Sequence, residues 1–274
     1  MRTHTAKTQR QRVPVSMLLV GVFLVLAILL AACGSNSSTG AVPTPNPKTP
    51  TVTPPNDLIT PGTLTVGSDT TYPPQEYIDT TTNKATGFDV DLITAIAQRM
   101  GLKANVVTTK FDTIFDDLSN KRSDVVISAV TINPDRQKKF DFIPYFNAGE
   151  SLLVQAGNPK NIKSVSDLCG QPVGVQTGTV EQTDLQTASG ACKKAGKPAI
   201  NLTILQDQTA VVQLLANGRV VATYQDSPVP TITINSIPGS LQSVAPSSMR
   251  RKKVSSCARV IPPCFRRSRL PLIS

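Results

Sequence analysis

Histidine is almost missing from this chain: His4 is the single copy, and it stands ahead of the first apolar run. The rest of the sequence therefore lacks the commonest general base and the imidazole metal ligand. None of the five cysteines stands with His at metal-ligand spacing, so no metal and no cofactor are expected. Long hydrophobic runs are also scarce. Met17 to Leu30 is apolar but falls short of the ~20 residues that a spanning helix needs. Acid is missing from one region altogether, since Met249–Ser274 holds eight Lys or Arg and no Asp or Glu. The net charge of +10 belongs to that tail and to Arg2, Lys7, Arg10 and Arg12, because Cys33–Ser248 carries 16 basic and 18 acidic residues. A nucleic-acid partner is thus not expected from the charge.

What is present begins with a leader. A basic start followed by Met17–Leu30 reads as an export signal over residues 1–32. Leu30-Ala31-Ala32-Cys33 resembles a bacterial lipobox, which implies cleavage before Cys33 and a lipid on its sulfur. The expected location is extracytoplasmic, held to the cell membrane as a lipoprotein. Residues 33–61 read as a tether, with seven prolines between Gly34 and Pro61 among Ser, Thr and Asn. Such a segment cannot bury enough apolar surface to fold. Fully extended it would reach about 80 Å, at roughly 3.1 Å per residue.

The middle alternates strand and helix patterns. Leu64–Ser68, Ala104–Thr108 and Ser123–Ala129 read as strands. Asp89–Met100 reads as a helix with Ile93, Ile96, Ala97 and Met100 on one face, stopped by Gly101, and Asp112–Leu118 as a shorter one. Phe146–Gln155 leads away as a crossing segment. A second alternation follows: strands at Val173–Gln176, Leu202–Leu205 and Val220–Tyr224, with helices from Val180 and over Thr209–Asn217. The expected fold class is α/β, with two parallel-rich lobes (62–148 and 149–240) and a ligand cleft between them. Ligands of open α/β sheets sit beyond the carboxyl ends of strands. Asp69, Phe111, Thr131, Thr177 to Thr179, and Asp226 all stand at such ends.

One turn is built for an anion. Asn133 is a good N-cap, Pro134 suits the first helical position and Asp135 the first turn. The helix end favours negative charge, and Arg136 in that first turn can hold a carboxylate with two parallel hydrogen bonds.

Gly87 to Leu92 (Gly-Phe-Asp-Val-Asp-Leu), Phe111-Asp112, Thr131 to Arg136 and Asp141-Phe142 occur here in one order. Together they resemble the amino-acid-binding solute receptors of ABC transporters, solute-binding protein family 3, over roughly Gly62 to Pro228. The resemblance implies the two-lobe type II periplasmic-binding-protein fold. It implies a monomer that captures an L-amino acid, polar or cationic, for an ABC permease. It also implies roles. Arg136 would hold the α-carboxylate with Thr131 and backbone N–H groups of Ala129 and Thr131. Asp226, in Tyr-Gln-Asp-Ser-Pro, would hold the ammonium. Tyr72 and Phe111 would sandwich the ligand stem, and Asp69 would lie near its side chain. Thr177-Gly178-Thr179 matches a loop that helps the carboxylate, although Val180 and Gln75 depart from the family pattern. Export permits a disulfide, and the setting of Cys169 and Cys192 resembles members that carry one; two separate thiols are the alternative.

Enzymes and sensor domains share this fold and are the competing readings. A His-free exported chain whose cleft carboxylates have binding roles speaks against catalysis. The tail, residues 241–274, departs from the family. It lacks helical or strand period beyond Ser240, so the sheet-completing return is expected to be missing, as a frameshift would leave it, with an inactive product as the alternative.

Overall fold

The protein's computed structural model describes residues 50, 52–227 and 240–244, and the backbone of 258–261. These belong to one compact unit spanning Pro47–Ser274. The leader, the lipobox with Cys33 and most of the tether and tail lie outside the described residues.

Lobe 1 is built from β1 (Thr63–Ser68), a small antiparallel sheet of β2 (Thr71–Tyr72), β3 (Glu76–Asp79) and β4 (Lys84–Thr86), then α1 (Phe88–Arg99), β5 (Lys103–Thr108), α2 (Ile114–Ser119), β6 (Val125–Val126), α3 (Pro134–Gln137) and β7 (Asp141–Pro144). Its main sheet has β1 parallel to both β5 and β6. Apolar side chains of β1 and β6 meet the inner face of α1: Leu64, Val66, Val125, Ile127, Ile93 and Ala97 are all buried. Each such side chain contributes about 1.5–3 kcal/mol on leaving water. Helix α1 starts at Gly87, whose φ of 119° only glycine adopts readily; a Cβ there would lie 2.4 Å from the Gln75 carbonyl oxygen.

Lobe 2 holds β8 (Glu150–Gln155), a 3-10 turn (Val165–Leu168), β9 (Pro172–Gln176), α4 (Val180–Lys194), β10 (Asn201–Leu205), α5 (Gln208–Ala216), β11 (Ala222–Asp226) and β12 (Leu241–Val244). The strand order is β10-β9-β11-β8-β12. Strand β9 is parallel to β10 and β11, while β8 runs antiparallel to β11 and β12. Cys169 and Cys192 are bonded with Cα atoms 5.7 Å apart, tying the end of the 3-10 turn to α4 beside a core of Leu168, Val173, Leu185 and Tyr224.

Four expectations need correction. The segment ending at Gln155 is not only a crossing: Glu150–Gln155 is an interior strand of the second sheet, with Ser151 to Val154 all buried and hence covered on both faces. The strand expected over Ser123–Ala129 is cut to Val125–Val126. The chain leaves the ladder toward the cleft, and Ala129 takes a φ of 44°. The end of the tether is not extended: Val52 and Leu58 pack against the lobe 1 core. The Ile59 N–H also donates to Asp124 Oδ1 at 2.9 Å. Last, the tail holds two short strands, although no helix follows them among the described residues. Leu241–Val244 pairs with β8, and β13 (Ala258–Ile261) lies antiparallel between β6 and β7 in the first sheet. Unpaired sheet edges of β6 and β7 give even a weakly patterned segment backbone partners, which periodicity in the tail did not reveal.

Candidate functional site

The two lobes meet through hydrogen bonds between residues far apart in sequence. Gln208 N–H donates to Thr71 Oγ1 at 3.1 Å, and the Thr209 hydroxyl donates to the Thr71 carbonyl at 2.9 Å. Gln176 Nε2 donates to Asp69 Oδ2, and Gln206 Nε2 donates to Asp112 Oδ2 at 3.3 Å. Gly178 abuts Asp112 closely enough that a Cβ would lie 2.8 Å from its Cα. Between these contacts is a pocket, partly open to solvent, with about 280 Å³ of empty space when the open mouth is included. Its walls include Tyr72, Phe111, Ala129, Thr131, Arg136, Thr179 and Asp226 from the sequence reading, joined by Ser128, Gln176, Val180 and Glu181.

Arg136 stands where the turn chemistry put it. The Asn133 side chain caps α3 by accepting the Arg136 N–H at 2.9 Å. The guanidinium donates to the Thr131 carbonyl at 2.8 Å and, across the cleft, to the Gly178 carbonyl at 3.1 Å. It lies 5.8 Å from the Phe111 ring centre and 5.2 Å from that of Phe115, within cation–π range. Two of its five N–H donors are thus committed, which leaves others for an anion. Burial lowers the Arg136 pKa, and Glu181 and Asp226 oppose that.

Asp226 ends β11 on the other lobe. The Tyr72 hydroxyl donates to its Oδ2 at 3.2 Å and accepts its N–H at 3.2 Å, while Oδ1 has no partner. Burial pushes Asp226 up to about 7, opposed by the Tyr72 hydroxyl and raised further by Glu150. Glu181, in the first turn of α4, is 5% exposed, and its Oε1 has no partner. Its pKa is held well above the usual range by burial and then by the charge of Asp226.

Behind the wall, one buried chain of hydrogen bonds fixes the loop after β6. Ser128 Oγ accepts the Asp69 N–H at 2.8 Å and donates to Glu76 Oε1 at 2.9 Å. Asp89 accepts the Ala129 N–H at 3.0 Å and the Tyr145 hydroxyl. Burial and the Asp89 charge raise Glu76 well above its usual pKa.

Four expected roles change here. The Ala129 N–H is donated to Asp89, so Ala129 lines the cavity without offering that donor. Asp69 does not line the cavity: Thr71 and Gln176 occupy both its oxygens, and burial pushes it up to about 6. Thr177 stays in the sheet register, its N–H on the Leu205 carbonyl, and is not part of the wall. Thr179 lines the cavity, but its hydroxyl caps α4 by accepting the Gln182 N–H at 3.1 Å. Gln176 was within reach of the strand-end rule, one residue before the expected loop. Glu181 carried no signal, since an acid in a helix's first turn is ordinary on a surface. Among the described residues no group of three or more His, Cys, Asp or Glu side chains suits a metal ion.

The sequence profile of the bacterial extracellular solute-binding proteins, family 3, matches residues 64–260 and so reaches into β13, beyond the Ser240 limit read from the motifs. The L-cystine-binding protein TcyA of Bacillus subtilis is 36% identical over 165 residues, covering 60% of this chain and 58% of that protein. The arginine-binding protein ArgT of Corynebacterium glutamicum is 31% identical over 208 residues, covering 73% of this chain and 67% of that protein. The match to the L-cystine-binding protein TcyJ of Escherichia coli covers 44% of its length, so the chain spans about half of the cystine-binding relatives it matches. Among solved structures, an ancestral arginine-binding protein bound to arginine superposes with a TM-score of 0.66 at 32% identity, over 75% of this chain and 86% of that one. Profile, relatives and two-lobe architecture agree: the chain belongs to the bacterial extracellular solute-binding proteins, family 3.

Proposed function

We propose that this protein captures a free L-amino acid, polar or cationic, outside the cytoplasmic membrane and delivers it to an ABC permease. One observation carries the reading. A half-buried guanidinium with uncommitted donors and a buried carboxyl with an unpartnered oxygen line one cavity, Arg136 on lobe 1 and Asp226 on lobe 2. A zwitterion answers both charges at once. Its carboxylate takes Arg136, assisted by Thr131, and its ammonium takes Asp226. Because the partners sit on different lobes, the ligand ties the lobes together, and closure can be read by the permease. Tyr72 and Phe111 supply the apolar wall for the ligand stem. The cleft carboxyls serve binding and no reaction is assigned to them; the relatives are named as binding proteins. Lipidation at Cys33 and a tether would keep this monomer at the membrane.

A calorimetric panel of the standard amino acids and L-cystine against the purified protein tests the proposal. Saturable binding of at least one, with a matched rise in unfolding temperature, is the expected outcome. No heat and no stabilisation with any of them would overturn it.

A further inference from the structure

We propose that Glu181 reads the charge of the ligand's side chain, selecting amino acids that carry a second positive charge, the diamino and guanidino class. The inference rests on the amino-acid reading above and deepens it.

The argument begins with an acid in the wrong setting. At the second position of α4 a glutamate normally points to water, where the helix dipole favours it. Here Glu181 is buried, lines the cavity, and keeps Oε1 without any hydrogen-bond donor. A buried unpartnered acceptor is costly, and an ionised one far more so. Glu181 shares a side-chain hydrogen bond with Asp226, so the oxygen that awaits a donor from outside the fold is Oε1.

The charges around it decide what that donor is. Asp226 and Glu150 act on Glu181 with negative charge, and Arg136 is the cation that opposes them. In the proposed mode the ligand's α-carboxylate takes Arg136 and its α-ammonium takes Asp226. Those two charge pairs are then complete, and Glu181 is left among carboxyls. A ligand with a neutral side chain leaves it protonated or unpaired. A side-chain ammonium or guanidinium gives it a charged hydrogen bond at a buried position, where such bonds are strong. L-cystine fits less well: its second ammonium could meet Glu181, but its second carboxylate finds no further cation among the described residues of the wall, where Arg136 is the only Lys or Arg.

Asp69, the acid that the resemblance put near the ligand side chain, is not available for this. Both its oxygens accept hydrogen bonds from Thr71 and Gln176, and it stands behind the wall. It joins the lobes instead of reading the ligand.

The test measures dissociation constants of L-arginine, L-lysine, L-glutamine and L-cystine for the full chain, its Glu181→Gln variant and its Asp69→Asn variant. Glutamine keeps the size of Glu181 and removes its charge, and thermal unfolding checks that the variant folds. Wild type should prefer arginine or lysine. Glu181→Gln should shrink that preference by roughly 10- to 100-fold, the worth of a charged hydrogen bond, through weaker binding of the cations. Asp69→Asn should weaken all ligands alike, because it loosens closure whatever the ligand's charge. An unchanged preference in Glu181→Gln, an equal loss for all four ligands, or a preference that vanishes in Asp69→Asn would each overturn this inference while leaving the amino-acid reading standing. Failure of wild type to bind any of the four would overturn both.

Discussion

Gly178→Ala should weaken ligand binding by jamming the cleft, and its two costs can be separated. Gly178 has a φ of +77°, a left-handed conformation that costs an alanine about 1–2 kcal/mol. That strain lies within lobe 2, is the same with the cleft open or closed, and shows as a lower unfolding temperature. The second cost exists only on closure. The new Cβ would lie 2.8 Å from Asp112 Cα, 3.1 Å from its Cβ and 3.3 Å from its nitrogen. Carbon atoms prefer about 3.5–4.0 Å, and backbone cannot swing aside as a side-chain tip can. The lobes must therefore stand apart by several tenths of an ångström. That stretches the Arg136 bond to the Gly178 carbonyl, now 3.1 Å, and loosens the cavity beside it. Overpacking of this kind costs about 1–3 kcal/mol, or about 5- to 150-fold in affinity. Calorimetry with L-arginine reads the closure cost, and thermal unfolding without ligand reads the strain. A variant that unfolds earlier yet binds with wild-type affinity would refute the reasoning, because the bound state would then not bring Gly178 against Asp112.

Arg136→Ala should weaken amino-acid binding by about 2–5 kcal/mol, since a desolvated carboxylate loses its partner; unchanged affinity by calorimetry would remove Arg136 from the site. Burial pushes Asp226 from 3.8 up to about 7, so the folded protein keeps a proton that the unfolded chain has released. That stabilisation is complete below about pH 4 and is lost as pH rises through about 7, by up to about 4 kcal/mol at about 1.36 kcal/mol per pH unit. Denaturant titrations of ligand-free protein should show the fall, and Asp226→Asn should lessen it, with the raised Asp69, Glu76 and Glu181 leaving a remainder; an equally steep fall in the variant would assign it elsewhere. Ligand affinity should rise over the same window, because the ammonium needs an ionised Asp226. The bond between Cys169 and Cys192, 23 residues apart, closes a loop worth about 3.4 kcal/mol in the chain-entropy model. Reduction should lower unfolding stability by that order, and an unchanged denaturation midpoint after reduction would show the bond carries no such weight.

The sequence by itself determined what depends on near neighbours. The helical period of Ile93, Ala97 and Met100 with the stop at Gly101 placed α1 to within a residue at each end. Asn133 and Pro134 located the α3 cap and put Arg136 in its first turn. Those signals are local, because caps, periods and glycine stops act over a few residues. Tertiary structure alone decided which polar groups face the cavity. Tyr72 meets Asp226 across 154 residues and Asp69 meets Gln176 across 107, and the second contact turns Asp69 away from the role that its motif suggested. Glu181 gained its place because the first turn of α4 is covered by the opposite lobe. The loop after β6 lost a free N–H to Asp89, 40 residues away. Strand β13 found its place by backbone pairing with β6 and β7, which needs no side-chain pattern and so leaves none to read. Burial of a charge and commitment of a donor are properties of the packed lobes, and no spacing along one chain encodes them until the lobes meet.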